Sequence, residues 1–196
     1  MDYLIEEQFR DDLLKDERVL WVGQPETSVL FMGADIFLVP FSLLWGGFAI
    51  FWELSVLFAF FPVREGKSAV PIIFLLFGMP FVIIGLYFIF GRFVYKNWKK
   101  RNTYYAVTNK RVLVLAKLFS RSLNAANIDT VPTINKTIRS DGIGTIKFGN
   151  VNWMVSMYGN TGMDFFGSFW GADIPTFYDI KDVNKVHEIV NELRNR

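Results

Sequence analysis

The sequence predicts a membrane-spanning α-helical hairpin joined to a small antiparallel β domain that is capped by a C-terminal helix. Three observations carry that expectation: two long apolar runs, a series of short β-rich segments separated by turn residues, and an apolar stripe with helical spacing at the end of the chain. Of the 196 residues, 52% are apolar and 21 are Phe, and a fifth are charged. Mean hydropathy is nevertheless +0.26, so the apolar residues must be concentrated in particular segments. The absence of Cys excludes disulfides, thiolate catalysis and Cys-ligated metal clusters. A single histidine, His187, leaves no His-based triad or multi-His metal site.

The first apolar run covers residues 36–61 and holds one charge, Glu53; the second covers residues 69–90 and holds none. At about 1.5 Å per residue the second run reaches about 33 Å, against a hydrocarbon core of roughly 30 Å. Pro40 and Pro80 would break a soluble helix interior but are tolerated in spans. Trp45, Trp52 and Tyr87 fit lipid-facing and interfacial positions. The connector, residues 62–68, is too short for anything but a hairpin, so both chain ends lie on one side. Arg92, Lys96, Lys99, Lys100 and Arg101 follow the second run, whereas the connector carries only Arg64 and Lys67. The positive-inside rule then puts residues 1–35 and 91–196 in the cytoplasm. The first run starts too far into the chain for a cleaved signal peptide, and the segment before it is acidic.

Net charge divides at these boundaries: −6 over residues 1–35, zero over 36–90 and +8 over 91–196. The five basic residues 92–101 are expected to act mainly as a topology determinant at the membrane surface, with contact to anionic headgroups, about 1 kcal/mol per side chain close to the surface, as a modest addition. Because that cluster directly abuts a span, topology accounts for it without nucleic acid.

Residues 2–14 place Leu4, Ile5, Phe9, Leu13 and Leu14 near helical spacing, a short amphipathic helix. Residues 18–23 read as a strand stopped by Gln24-Pro25. Residues 103–107 and 111–115 form two β runs around a Thr108-Asn109-Lys110 turn, where Asn tolerates a left-handed backbone. Residues 133–139 and 145–148 flank Asp141-Gly142, a strong hairpin signal. Val183, Val186, Ile189, Val190 and Leu193 mark the closing helix.

Asp16 to Pro25, Tyr104 to Val114, Gly142 to Ile146 and Phe177 to Val183 together resemble, in this order, segments of bacterial pleckstrin-homology-like (PH-like) membrane proteins. The resemblance implies a seven-stranded PH-like barrel capped by a C-terminal helix, attached to the inner membrane of a prokaryote, with the spans inserted after the first strand. It brings no catalytic residue. Phosphoinositide recognition does not carry over either, because the first strand offers only Arg18 and the following loop is replaced by the hairpin.

Two features invite a functional reading. Glu53 lies inside a span, where a carboxylate is a functional candidate by default. It fits a contact with another helix, a position near headgroups at a tilted helix end, or an ion path. With no charge in the second span, an ionic partner would come from another chain. The segment 150–175 holds Trp153, Met157, Phe165, Phe166, Phe169 and Trp170 among four Gly. Those side chains suit the bilayer interface, a protein contact or the barrel core. Gly142-Ile143-Gly144 lies between strands, so it is no phosphate loop. Nothing in the chain calls for a cofactor or metal, and no nucleophile–base pair stands out.

The expected function is a non-catalytic, membrane-anchored PH-like binding or scaffolding module on the cytoplasmic face, self-assembling or engaging a protein partner. A channel or transporter subunit assembled around Glu53, and an anionic-lipid-binding domain, are the alternatives.

Overall fold

The computed structural model describes residues 2–60, 70–150, 153–164 and 174–195. The chain divides into two compact units, Met1–Leu30 with Lys96–Arg196, and Phe31–Tyr95. The expected connector and Phe165, Phe166, Phe169 and Trp170 lie outside the described residues, as does the side chain of Trp153.

The N-terminal segment forms α1 (Asp2–Glu6) and a 3-10 turn (Glu7–Asp12). After β1 (Val19–Gly23) come two long helices, α2 (Asp35–Phe60) and α3 (Val70–Leu86). A π-helical turn, Tyr87–Gly91, leads from α3 into α4 (Arg92–Arg101). Asp35–Phe58 and Ile72–Arg101 are long and apolar enough to cross a membrane. In the helical unit Leu38, Ser42, Ala49 and Val56 form one buried face of α2. Gly46 and Gly85 let the two backbones meet: a Cβ on Gly85 would stand 2.7 Å from the Gly46 Cα. Large apolar side chains cover the remaining surface, among them Phe37, Leu44, Phe48, Phe51, Phe58, Ile73, Phe77 and Ile83, all exposed. The core helix of a water-soluble protein shows the reverse distribution.

The β unit holds β2 (Thr103–Thr108), β3 (Arg111–Lys117), β4 (Arg121–Asn127), β5 (Ile134–Ile138), β6 (Gly144–Phe148), α5 (Trp153–Tyr158), β7 (Thr176–Ile180) and α6 (Val183–Arg194). The strands make two antiparallel sheets, ordered β1-β2-β3-β4 and β5-β6-β7. This corrects the expected barrel, because the sheets are not closed into one. A 3-10 turn at Ile128–Thr130, followed by Pro132, ends the first ladder. Proline has no N–H to continue it. Ile128 and Val131 instead turn inward to the core. β1 pairs with β2, although the whole helical unit lies between them in sequence.

The two sheets share one core: Trp21, Tyr105, Val107, Val112, Ile146, Phe148, Phe177 and Ile180, covered by Val183, Val186 and Val190 of α6. Phe177 is its hub, with ring centroids 4.6 Å from Tyr105, 4.9 Å from Phe148 and 5.7 Å from Trp21. Ile5 and Phe9 cover the opposite face of the first sheet, over Ala106, Leu113 and Leu115. β2 and β3 are thus buried on both faces.

The segment before β1 and the turn between β2 and β3 interlock. Glu17 is fully buried and accepts hydrogen bonds from Thr108 Oγ1 (2.7 Å), the Leu14 N–H (2.7 Å) and both Nε (3.0 Å) and Nη2 (2.7 Å) of Arg111. Burial pushes this carboxyl up, but Arg111, the Leu14 N–H and Thr108 outweigh it and bring it to about 2. Asn109 accepts from the Arg18 N–H at 2.8 Å and donates to the Asp16 carbonyl at 3.3 Å. Its value is therefore in its side chain. The left-handed position belongs to Asp16, with φ of 63°.

Candidate functional site

Helix α4 carries basic residues at every fourth position, 92, 96 and 100, and this spacing lines them along one face. In the helical unit Arg92 is fully buried, pairs with Asp35 and donates from Nε to the Phe88 carbonyl at 2.9 Å. Its guanidinium also lies 4.2 Å from the Phe93 ring centroid. In the β unit Lys96 is buried and donates to the Leu30 carbonyl at 2.7 Å. Lys100 uses all three of its protons: on Asp179 (2.6 Å), the Val29 carbonyl (2.7 Å) and the Glu26 carbonyl (2.9 Å). Burial pushes the Lys100 ammonium down, and Asp179 offsets that only in part.

These positions differ from the expected row of headgroup contacts. Arg92, Lys96 and Lys100 face inward because buried carbonyls and carboxylates need donors that the apolar surroundings lack. Lys99 is one-third exposed and pairs with Asp164 at 3.2 Å. Arg101 is exposed at the surface.

Around Lys99 and Lys100 the β unit opens a cavity of about 190 Å³, lined also by Tyr105, Asn160, Asp164 and Tyr178. Two strained residues stand at it, Asn160 in the wall and Asp179 behind Asn160 and Lys100. Asn160 and Asp179 have φ of 60° and 51°, and Asn160 Nδ2 donates to Asp179 Oδ2 at 2.6 Å. Left-handed backbone costs about 1 kcal/mol or more per residue, and persists where surroundings demand it. Here Asp179 must meet both Lys100 and Asn160. Asp164 accepts from the Asn160 N–H as well as pairing with Lys99. The Tyr105 hydroxyl accepts from the Tyr178 N–H at 3.1 Å, and burial pushes its ionisation far up. The arrangement can hold a small polar group by hydrogen bonds and paired charge.

No family model, curated protein or solved structure matches this chain.

The second candidate lies in the helical unit. Both oxygens of Glu53 are buried and without a hydrogen-bond partner among the described residues. In a helix long and apolar enough to cross a membrane, a carboxylate would cost about 2.5–3.5 kcal/mol on insertion scales, which makes the missing partner notable. The carboxyl is packed against Gly78 so closely that a Cβ there would meet Oε2 at 1.8 Å. Gly78 also lines a cleft of about 290 Å³ with Trp45, Phe48, Ala49, Trp52, Phe77 and Phe81.

Of the remaining sequence candidates, Met157 is exposed near the end of α5, and Trp153 begins that helix. His187 sits half-buried on α6 beside Asn191, and burial, helped by the Lys136 charge, pushes its imidazole down. Sequence reasoning missed Asp179, Asn160 and Gly78 as site residues. Asp179 carried a signal: a charge inside the otherwise apolar run Phe177 to Ile180. Gly78 carried none beyond being small.

Proposed function

We propose that the chain is a membrane-anchored PH-like binding module of the prokaryotic inner membrane, with the helical hairpin as its anchor and the β unit facing the cytoplasm. The observation that carries this reading is the composition of the β unit: among the described residues seven strands, four and three, with a C-terminal helix over a shared core, split after β1 by two apolar helices. The order of elements agrees with the resemblance, and the residues that carry it, Glu17, Thr108, Asn109 and Arg111, bond to each other or to one another's neighbouring backbone.

Binding, rather than chemistry, is the role its side chains favour. The acidic and basic groups around the 190 Å³ cavity are committed to one another. Phe119, at the tip between β3 and β4, is 93% exposed, and its ring is tilted against that of Trp98 with centroids 5.2 Å apart. A large apolar side chain held in water at a hairpin tip supports contact with a second copy or another protein. Native mass spectrometry of the intact protein, gently extracted in detergent, tests the reading. A discrete oligomer, or a monomer retaining a foreign polypeptide, supports it. A bare monomer at all concentrations, with Phe119→Ser leaving cellular cross-links unchanged, contradicts it.

A further inference from the structure

The helical unit holds a buried carboxyl, Glu53, with no hydrogen-bond partner among the described residues, next to a wall of aromatic rings. Trp45 and Trp52 stand seven residues apart on α2, and Phe77 and Phe81 four apart on α3, so each helix turns its rings to one side. The rings are in register with one another: Trp45 and Phe81 have centroids 6.2 Å apart, and Phe81 and Phe77 5.3 Å apart. With Phe48 and Gly78 they enclose about 290 Å³, the size of a small organic molecule. Trp45, Trp52 and Phe81 remain partly exposed, so the cleft is open at its side. Gly78 is packed directly against the Glu53 carboxyl, whose two oxygens are buried and have no hydrogen-bond partner among the described residues.

Each of these features selects a ligand. Ring faces carry negative potential and attract cations, most strongly where water is absent. The Glu53 carboxyl lies behind Gly78 beside this wall, and once a bound cation draws it into its ionised form its attraction, in a medium of low dielectric, reaches across a residue's width. A metal ion or primary ammonium needs oxygen or nitrogen acceptors, and apart from backbone the cleft wall offers rings, an alanine and a glycine. A cation that is large, weakly hydrated and without N–H donors has no such need. We propose that this cleft binds a monovalent organic cation of the quaternary ammonium or phosphonium class, with Trp45, Trp52 and Phe81 as its ring wall and Glu53 as its counter-ion. The site is separate from any binding surface of the β unit.

The test uses the full chain in maltoside detergent with two probes of matched shape and opposite charge, tetraphenylphosphonium and tetraphenylborate, by equilibrium dialysis. The expected result is saturable binding of about one phosphonium per chain and no saturable binding of the borate. Glu53→Gln and Trp52→Leu should each weaken the phosphonium by about tenfold or more. Equal binding of both probes would reduce the cleft to an apolar groove and overturn the proposal. So would no phosphonium binding, or undiminished binding by Glu53→Gln. Should a variant not be recovered folded, the comparison of the two probes on the unaltered protein still decides. Repeating the titration in phosphatidylethanolamine and phosphatidylcholine nanodiscs, both without net charge, identifies the source. Weaker binding in phosphatidylcholine assigns the cleft to a lipid choline headgroup, and equal binding assigns it to a soluble cation.

Discussion

The β unit and the helical unit treat buried charge in opposite ways. In the β unit Glu17 meets Arg111, Thr108 and a backbone N–H, and Lys100 meets Asp179 and two carbonyls, so that each charge is matched by geometry. In the helical unit Arg92 is matched by Asp35, but Glu53 has no partner among the described residues and is accommodated by the absence of a side chain at Gly78. A matched buried charge specifies architecture, since removing one partner strands the other. An unmatched one is costly to retain and points to a task beyond folding. The comparison separates residues that build this protein from residues that it keeps for use.

The largest effect should come from Lys100→Met. It leaves Asp179 without its counter-charge, with Asn160 as a remaining donor, and the carbonyls of Glu26 and Val29 without the Lys100 ammonium, and about 3–5 kcal/mol of stability should be lost. Thermal unfolding of the β unit, followed by near-ultraviolet circular dichroism, measures this. An unchanged melting temperature would break the contrast on its architectural side.

Acid should act through Glu17. Its carboxyl is held at about 2 in the folded chain, against 4.5 ordinarily, so the unfolded state binds the proton more readily. The stability it contributes is complete above about pH 4.5 and disappears as pH falls towards 2. Glu17→Gln should therefore lower stability at neutral pH by about 1–3 kcal/mol and flatten this acid limb, as read from denaturant midpoints at a series of pH values.

In the helical unit Gly78→Ala drives a methyl group into the Glu53 carboxyl and should cost about 1–3 kcal/mol. Combining it with Glu53→Ala should recover most of that loss, and the double-mutant cycle reads the coupling. Additive losses would show that the carboxyl does not rest on Gly78. The smallest effect is expected at Arg101→Ala: this exposed side chain should change stability by no more than about 0.5 kcal/mol.

The elements most legible in the sequence were those in which local pattern and tertiary role agree. The apolar runs became α2 and α3, and the 183–193 stripe became α6, whose Val183, Val186 and Val190 are buried. β4 was not legible. Arg-Ser-Leu-Asn-Ala-Ala-Asn has weak strand propensity, and it is extended because all seven residues pair with β3. Nor was barrel closure decidable locally, since it depends on where the ladder stops, at Ile128 to Pro132. In the basic run 92–101, composition indicated charge but not direction. Whether a lysine meets headgroups or carbonyls depends on segments some 60 to 80 residues away, at Glu26 to Leu30 and at Asp179. Glu53 was visible as a lone charge, while its resting place on Gly78 required the helix crossing.

The absence of Cys makes the central claim directly measurable. Single cysteines at Arg10 and Ser120 in the β unit, and at Lys67 in the connector, can be challenged in intact bacterial cells with a membrane-impermeant maleimide. A cytoplasmic β unit on an inner-membrane hairpin predicts labelling of position 67 once the outer membrane is permeabilised, and of positions 10 and 120 only after the inner membrane is lysed. Labelling of position 120 before lysis, or identical behaviour of all three positions, would contradict it.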